Sequence, residues 1–316
     1  MLITIFNAFV PVFLNGVLGF WLSFKGWLGG QSERGLIQSL IFFFYPGFIF
    51  ASMIGRESLR SNPSQFLIAP LLGYIFIVLG FVVAGLLAKP LGLREKVSQR
   101  SFAFATGVFN FGYLAIPLVT ALHGPEILPT LFLFNAGVDL AIWSAGILTL
   151  TGSWNRGWYR KAINPPFLAI VLAVFLTYTG MDRWIPEALI GFARQIGAIA
   201  IPIGLLLTGS VIYSELFSGK TAPDGGRSAL LGGSLVRLLI LPLLLLGLLY
   251  CLPLSSDLLR VAIVQAAMPT GVFTIVLARH YGGSPEISIR SAIPTQILAF
   301  LTTPFWIWIG IKLFDV

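Results

Sequence analysis

The sequence predicts an all-α integral membrane protein of ten transmembrane helices, arranged as two inverted five-helix repeats. Three observations predict it. Of 316 residues, 57% are hydrophobic and only 10% charged, whereas soluble domains carry roughly a quarter charged residues. Apolar stretches long enough to span a bilayer, about 20 residues each, recur along the whole chain. Two of them, about 160 residues apart, are interrupted near their middles by residues that resist helix.

The stretches fall at about 2–23, 35–55, 66–88, 98–122, 128–151, 163–180, 186–213, 228–252, 258–280 and 289–313. The first has no basic leading region and no small-residue cleavage site, so it reads as a retained helix rather than a signal peptide. The second and seventh carry Pro46 and Pro202 at nearly corresponding places. The eighth contains Cys251, the one cysteine, which excludes an internal disulfide and a thiol-metal site. Short links join the stretches, and no soluble domain is left over. The halves divide as 1–152 and 153–316. Because five is odd, two five-helix halves lie in the membrane with opposite orientation.

The interruptions lie in the fourth and ninth stretches. In the ninth, Ala267-Met268-Pro269-Thr270-Gly271-Val272 places a proline where a continuous helix would lose a hydrogen bond and about 3 kcal/mol. The fourth has Thr106-Gly107-Val108-Phe109-Asn110-Phe111-Gly112, with glycines that permit irregular backbone and an amide that can serve freed backbone groups or a ligand. At an offset of 160, Phe109-Asn110 overlies Pro269-Thr270, Arg100 matches Arg260, and Pro125-Glu126 matches Pro285-Glu286. Pro117 reads as a tolerated kink and Pro269 as a functional break. In lipid, freed backbone groups must face protein or a polar cavity. Broken segments at matching positions of two halves mark secondary transporters, with the cavity as substrate site.

The formal charge is +8, and its distribution follows topology rather than a nucleic-acid partner. Thirteen Lys or Arg fall in odd-numbered loops, including Arg34, Arg94, Arg156, Arg160, Lys161, Lys220, Arg279 and Arg290, against four (Arg56, Arg60, Arg183, Arg260) in even ones. Basic loops stay cytoplasmic, so both termini are expected outside, in a multi-pass protein of the cell (inner) membrane. Trp21, Trp27, Trp154, Trp158, Tyr159, Trp184, Trp306 and Trp308 lie near the segment ends, as an interfacial aromatic belt would place them.

Phe109-Asn110-Phe111-Gly112-Tyr113-Leu114-Ala115-Ile116-Pro117-Leu118, Ile163-Asn164-Pro165-Pro166, Pro202 to Gly209 and Ala267-Met268-Pro269-Thr270-Gly271-Val272 resemble the auxin efflux carrier family of plant carriers and bacterial permeases. The resemblance covers the full chain. It implies a fold shared with bile acid/sodium symporters, in which helices 4 and 9 are broken where they cross. It also implies a scaffold of helices 1, 2, 6 and 7, and a moving transport domain of helices 3–5 and 8–10. Family members carry organic anions, and polar residues at the crossing hold the carboxylate; here those positions are Asn110 and Thr270, flanked by Phe109, Pro269 and Gly271. Plant carriers have Pro-Asn where this chain has Phe109-Asn110, and they often carry a long hydrophilic central loop that is absent here. Both departures point away from auxin and to a bacterial-type permease, and the resemblance implies a small carboxylate such as malate or malonate as cargo. A homodimer is implied by the resemblance alone.

A charge at the bilayer centre costs about 2.5–3.5 kcal/mol on insertion scales, so each one needs a reason. Asp139 lies about a dozen residues into the fifth stretch, with Asn135 one turn earlier on the same face. It is the candidate for ion coupling, by H+ or Na+; a structural carboxylate is the competing reading. Arg237 and Arg194 lie deep in the eighth and seventh stretches and read as anchors, Arg237 snorkelling inward. Gln265 and Gln296 either line the cavity or bond helices together. Half-helix N-termini near the breaks would present partial positive charge to an anion.

No cofactor is expected. An intramembrane enzyme is disfavoured: His123 and His280 fall near segment ends, no HExxH occurs, and Gly232-Gly233-Ser234 suits helix packing. A channel or pore would need a ring of like groups across subunits, whereas internal inverted symmetry favours alternating access.

Overall fold

The computed structural model describes residues 2–61, 63–153, 157–217 and 225–316, with side chains from Phe6 onward. Trp154, Arg156 and Lys220, counted above among belt and loop residues, lie outside the described residues. The described chain is helical, with a single isolated β-bridge.

In chain order the main helices are α1 (Leu2–Phe24), α2 (Gly30–Met53), α3 (Gln65–Ala88), α4 (Lys96–Gly107), α5 (Ala115–His123), α6 (Pro125–Thr151), α7 (Pro165–Thr179), α8 (Glu187–Leu216), α9 (Gly226–Tyr250), α10 (Ser256–Ala266), α11 (Phe273–His280) and α12 (Pro285–Phe314). Seven of them, α1, α2, α3, α6, α8, α9 and α12, are long and apolar enough to cross a membrane. The stretch expected at about 163–180 forms the shorter apolar helix α7, 15 residues long. The fourth and ninth stretches each split into two short helices, α4 with α5 and α10 with α11.

Local chemistry sets these boundaries. Asn164 accepts a hydrogen bond from the Phe167 amide at 2.9 Å, with Pro165 opening α7; an Asx cap and a first-turn proline both suit a helix start. Ser284 caps α12 in the same way, ahead of Pro285. Pro117 falls in the first turn of α5, where no helical N–H is required, so it begins a helix rather than kinking one. Single π turns widen α2 at Leu40–Phe44, α6 at Ile142–Gly146 and α9 at Val236–Ile240, a distortion common at functional sites.

Packing gathers the helices into neighbourhoods. Helix α1 lies along α8, and α2 packs on α7 and α8; α3 packs on α4 and α6, and α9 on α12. Small residues permit the closest approaches, as in membrane bundles generally. A Cβ at Gly137 would collide with the Pro70 carbonyl, and one at Gly73 with the Phe134 carbonyl, which pins α6 to α3. Gly209 meets the Gly16 carbonyl and Gly19 the Leu206 carbonyl, pinning α8 to α1. Exposed apolar side chains such as Leu67, Leu86, Phe175 and Leu301 cover the outside, as a lipid-facing surface requires.

Two further sequence expectations are corrected. Trp306 does not join an interfacial belt; it is buried, and its indole N–H donates to the Leu238 carbonyl at 2.7 Å. The π turn in α9, which includes Leu238, displaces backbone from the regular α ladder, and an indole donor meets that need. Arg237 does not snorkel either. It is wholly buried, held by backbone carbonyls deeper in the protein. Arg194 behaves as expected of an anchor: its exposed side chain lies 3.7 Å from Glu187.

Candidate functional site

The two interruptions meet. Where α4 ends and α10 ends, their backbones run antiparallel for three residues and pair: the Asn110 amide donates to the Pro269 carbonyl at 2.8 Å and the Gly271 amide to the Val108 carbonyl at 2.9 Å. Each break thus satisfies part of the other, which is how irregular backbone survives at membrane depth. Gly271 eases this approach, because a Cβ there would sit a tight 3.1 Å from the Phe109 carbonyl oxygen.

The second break is satisfied along its length. Ala266 and Met268 carbonyls accept from Arg237, at 3.2 and 2.8 Å. The Ala267 carbonyl accepts from the Thr303 hydroxyl at 2.9 Å, Pro269 from Asn110, Thr270 from the Gln296 amide at 2.6 Å, and Gly271 from the Thr274 hydroxyl at 2.7 Å. The Thr270 amide donates to the Thr295 hydroxyl at 3.2 Å. At the first break the Phe111 carbonyl takes two side-chain amides, from Asn135 at 3.1 Å and Gln265 at 3.2 Å; Gln265 also donates to Asn135 Oδ1 at 2.9 Å.

The two breaks differ in access. Residues 261–272 are buried throughout, while Asn110, Phe111, Gly112 and Tyr113 are half-buried. Asn110 accepts a 3.4 Å hydrogen bond from the Leu114 amide through Oδ1, at the start of α5, leaving its Nδ2 without a partner among the described residues. Thr270 is sealed, and its hydroxyl is unpartnered. Phe109 is also sealed, touching Phe111 and Phe134. Pro269 and Gly271 act through backbone, and Asn135, Gln265 and Gln296 hold freed carbonyls. The Gln265 Oε1 atom is buried without a partner.

Asp139 stands on the same face of α6 as Asn135 and is half-buried. It makes no hydrogen bond or ion pair among the described residues. Tyr45 and Tyr113 are its electrostatic neighbours, with their rings 6.4 Å apart. A Cβ on Gly112 would lie 3.4 Å from the Tyr45 hydroxyl, so Tyr45 faces the open side of the crossing. The crossing therefore offers a neutral amide donor on its open side, with a lone carboxyl and two phenols nearby.

Sequence reasoning placed Asn110, Thr270, Phe109, Pro269, Gly271, Asn135, Gln265 and Gln296 in one locality, and the structure brings all eight to the crossing. It passed over Tyr45, Tyr113, Thr295 and Thr303, and it took Arg237 for an anchor. An arginine nine residues inside an apolar stretch was the available signal.

Among known proteins, the chain matches a family described as membrane transport protein, over residues 4–156 and 155–307. It is similar to an uncharacterized transporter of Methanothermobacter thermautotrophicus, with 25% identity over 293 residues that cover 92% of this chain and 93% of that one. An uncharacterized transporter of Methanocaldococcus jannaschii is 20% identical over 305 residues, 93% of this chain and 94% of the other. Auxin efflux carrier component 8 of Arabidopsis thaliana is 39% identical over 150 residues, 47% of this chain and 40% of that protein.

Proposed function

The chain belongs to the membrane transport protein family of the auxin efflux carriers, and from that premise we propose that it is a secondary carrier of small organic anions working by alternating access. The observation that carries this reading is the reciprocal pairing of two interrupted helices at Asn110–Pro269 and Val108–Gly271. A break that exists only to be filled by another break has no use in a passive bundle. In a carrier it builds a polar site at mid-membrane.

Counting α7 and each broken pair as one crossing brings the total to ten, in two inverted halves meeting near residue 152. The loop charges then put both termini outside the cytoplasm of a cell membrane. Helices α1, α2, α7 and α8 pack mainly on one another, as do α3, α4, α6, α9 and α12. This partition supports a scaffold and a moving bundle that carries the crossing.

The anion is a carboxylate such as malate or malonate. It takes the free Nδ2 of Asn110 and, once the moving bundle shifts, the unpartnered hydroxyl of Thr270. Positive ends of α5 and α11 face the crossing, and a helix N-terminus favours negative charge. Asp139 carries the coupling ion. No buried acidic cluster and no nucleophile with a partnered histidine stands near the crossing among the described residues.

Charge movement in proteoliposomes on solid-supported membranes tests this. The challenge is a panel of mono- and dicarboxylates and aromatic acids, with and without sodium or pH gradients. A saturable response to one class, with counterflow of labelled substrate, is expected. Non-saturating flux without counterflow would mean a pore. Silence in both current and isotope exchange from folded protein would reject the carboxylate cargo.

A further inference from the structure

Arg237 is the largest side chain wholly shut away from solvent. It projects from the π turn of α9 to the C-terminal end of α10, where its Nε reaches the Met268 carbonyl at 2.8 Å and its Nη2 the Ala266 carbonyl at 3.2 Å. Its guanidinium carbon lies 5.1 Å from the centroid of the Phe109 ring, on the partner strand of the crossing. Its third nitrogen, Nη1, is buried without a partner. Among the described residues no carboxylate comes within ion-pairing distance of it. The charge is balanced by carbonyl dipoles and a π face alone.

Those carbonyls are the negative end of an interrupted helix. In carriers built on broken helices, unwound carbonyls and half-helix C-terminal ends are where a coupling sodium is coordinated. The oxygens of Ala266 and Met268 are such ligands, and here a guanidinium holds them. The other freed carbonyls of this break are also taken, by Thr303, Asn110, Gln296 and Thr274.

We propose that Arg237 is a tethered cation standing where a coupling sodium would otherwise bind, so that this end of the crossing is permanently charged and sodium-independent. Three consequences follow from the geometry. The α10 end needs no ion to keep its carbonyls satisfied through the transport cycle. By touching both Met268 and Phe109, Arg237 holds the two strands of the crossing as one unit. It also supplies a fixed positive potential beside an anion site without a bond to the anion, which makes it a positioning residue. The consequence for ion coupling rests on the carrier reading; the occupancy itself does not.

The test uses the purified full chain without substrate. Its melting temperature is measured in sodium, potassium and choline chloride at equal ionic strength, since an ion that binds only the folded state raises it. Wild type is expected to melt at the same temperature in all three salts, apart from any sodium effect that Asp139→Asn removes. Arg237→Ser, which empties the carbonyl site, is expected to melt lower in potassium and to recover by several degrees in sodium specifically. Sodium-specific stabilisation of wild type that persists in Asp139→Asn, or its absence in a folded Arg237→Ser, would overturn the proposal. Should Arg237→Ser fail to fold, Arg237→Lys and Arg237→Met decide. Retention of wild-type melting by lysine but not methionine supports a required cation, and equal melting of the two overturns it. No readout here depends on flux, so failure of the carboxylate assay and failure of this proposal are separable.

Discussion

Asn110 has one amide arm committed and one free. Its backbone N–H closes the crossing and its Oδ1 accepts from the Leu114 amide just ahead of α5, while Nδ2 remains available to an acceptor. Asn110→Ala is therefore expected to abolish anion binding, read as loss of the saturable current and of ligand-induced thermal stabilisation. Unchanged affinity would remove Asn110 from the site. Asp139→Asn keeps the shape of the half-buried carboxyl but removes its charge; uptake driven by an ion gradient should disappear while substrate exchange survives. Loss of both would make Asp139 a structural group. Gln296 serves the Thr270 carbonyl from the far wall, and leaving a buried acceptor unmade costs about 1–3 kcal/mol. Gln296→Leu should lower the melting temperature accordingly, and an unaltered melt would show the carbonyl finding another donor. At this scale the sequence marked polar residues that the fold brings to the crossing, because polar groups in apolar stretches are rare. It could not say which would be spent on backbone. That depends on partners about 130 to 190 residues away, as for Gln265 with Asn135 or Gln65 with Ser255.

Helices here are placed by glycine contacts and by breaks more than by apolar patterning, since lipid is as apolar as the interior. The seam between α3 and α6 depends on Gly73 and Gly137, each set against a carbonyl of the other helix. Gly137→Val has no room to enter and should cost at least the 1–3 kcal/mol typical of overpacking, visible as early melting or aggregation on size exclusion. Wild-type behaviour would mean that α6 can slide on α3. The seam also sets the position of Asn135, two residues before Gly137, against the Phe111 carbonyl. A stable but displaced Gly137→Val would therefore lose transport as well. The start of α7 was legible from Asn164-Pro165, whereas α12 begins at Pro285, a turn ahead of the stretch expected from about 289. The three π turns were not legible, because nothing in Leu40–Phe44, Ile142–Gly146 or Val236–Ile240 departs from ordinary helical composition.

Across the whole molecule, polar ties join helix ends and the connections between them. At the end rich in basic loops, Arg279 of α11 pairs with the buried Glu215 of α8, and Lys161 pairs with the Tyr281 hydroxyl. At the other end, Arg60 grips Asp182 through two 2.7 Å hydrogen bonds, and Arg56 lies 3.6 Å from the exposed Glu126. The Arg279 side chain is more than half exposed, so solvent screens the pair and its removal weakens the contact rather than abolishing it. Arg279→Gln is expected to loosen the α8–α11 contact, read as faster hydrogen–deuterium exchange over residues 273–280. Exchanging the charges, Glu215→Arg with Arg279→Glu, should restore slow exchange. No change in either variant would mean that the pair does not hold this end closed.

By itself the sequence determined that the chain lives in a membrane, where its helices run, and where two of them fail. These are local properties: hydrophobic length, and residues such as Pro269 and Gly271 that deny a helix its hydrogen bonds. The tertiary structure alone decided what the failures pair with. Only folding brings Val108 to Gly271 and Asn110 to Pro269, sends the side chain of Arg237 to Met268 rather than to the surface, and turns Trp306 inward to Leu238. In hydrocarbon a freed backbone group has no water to fall back on. The identity of its partner is therefore a property of the whole fold, and no stretch of sequence contains it.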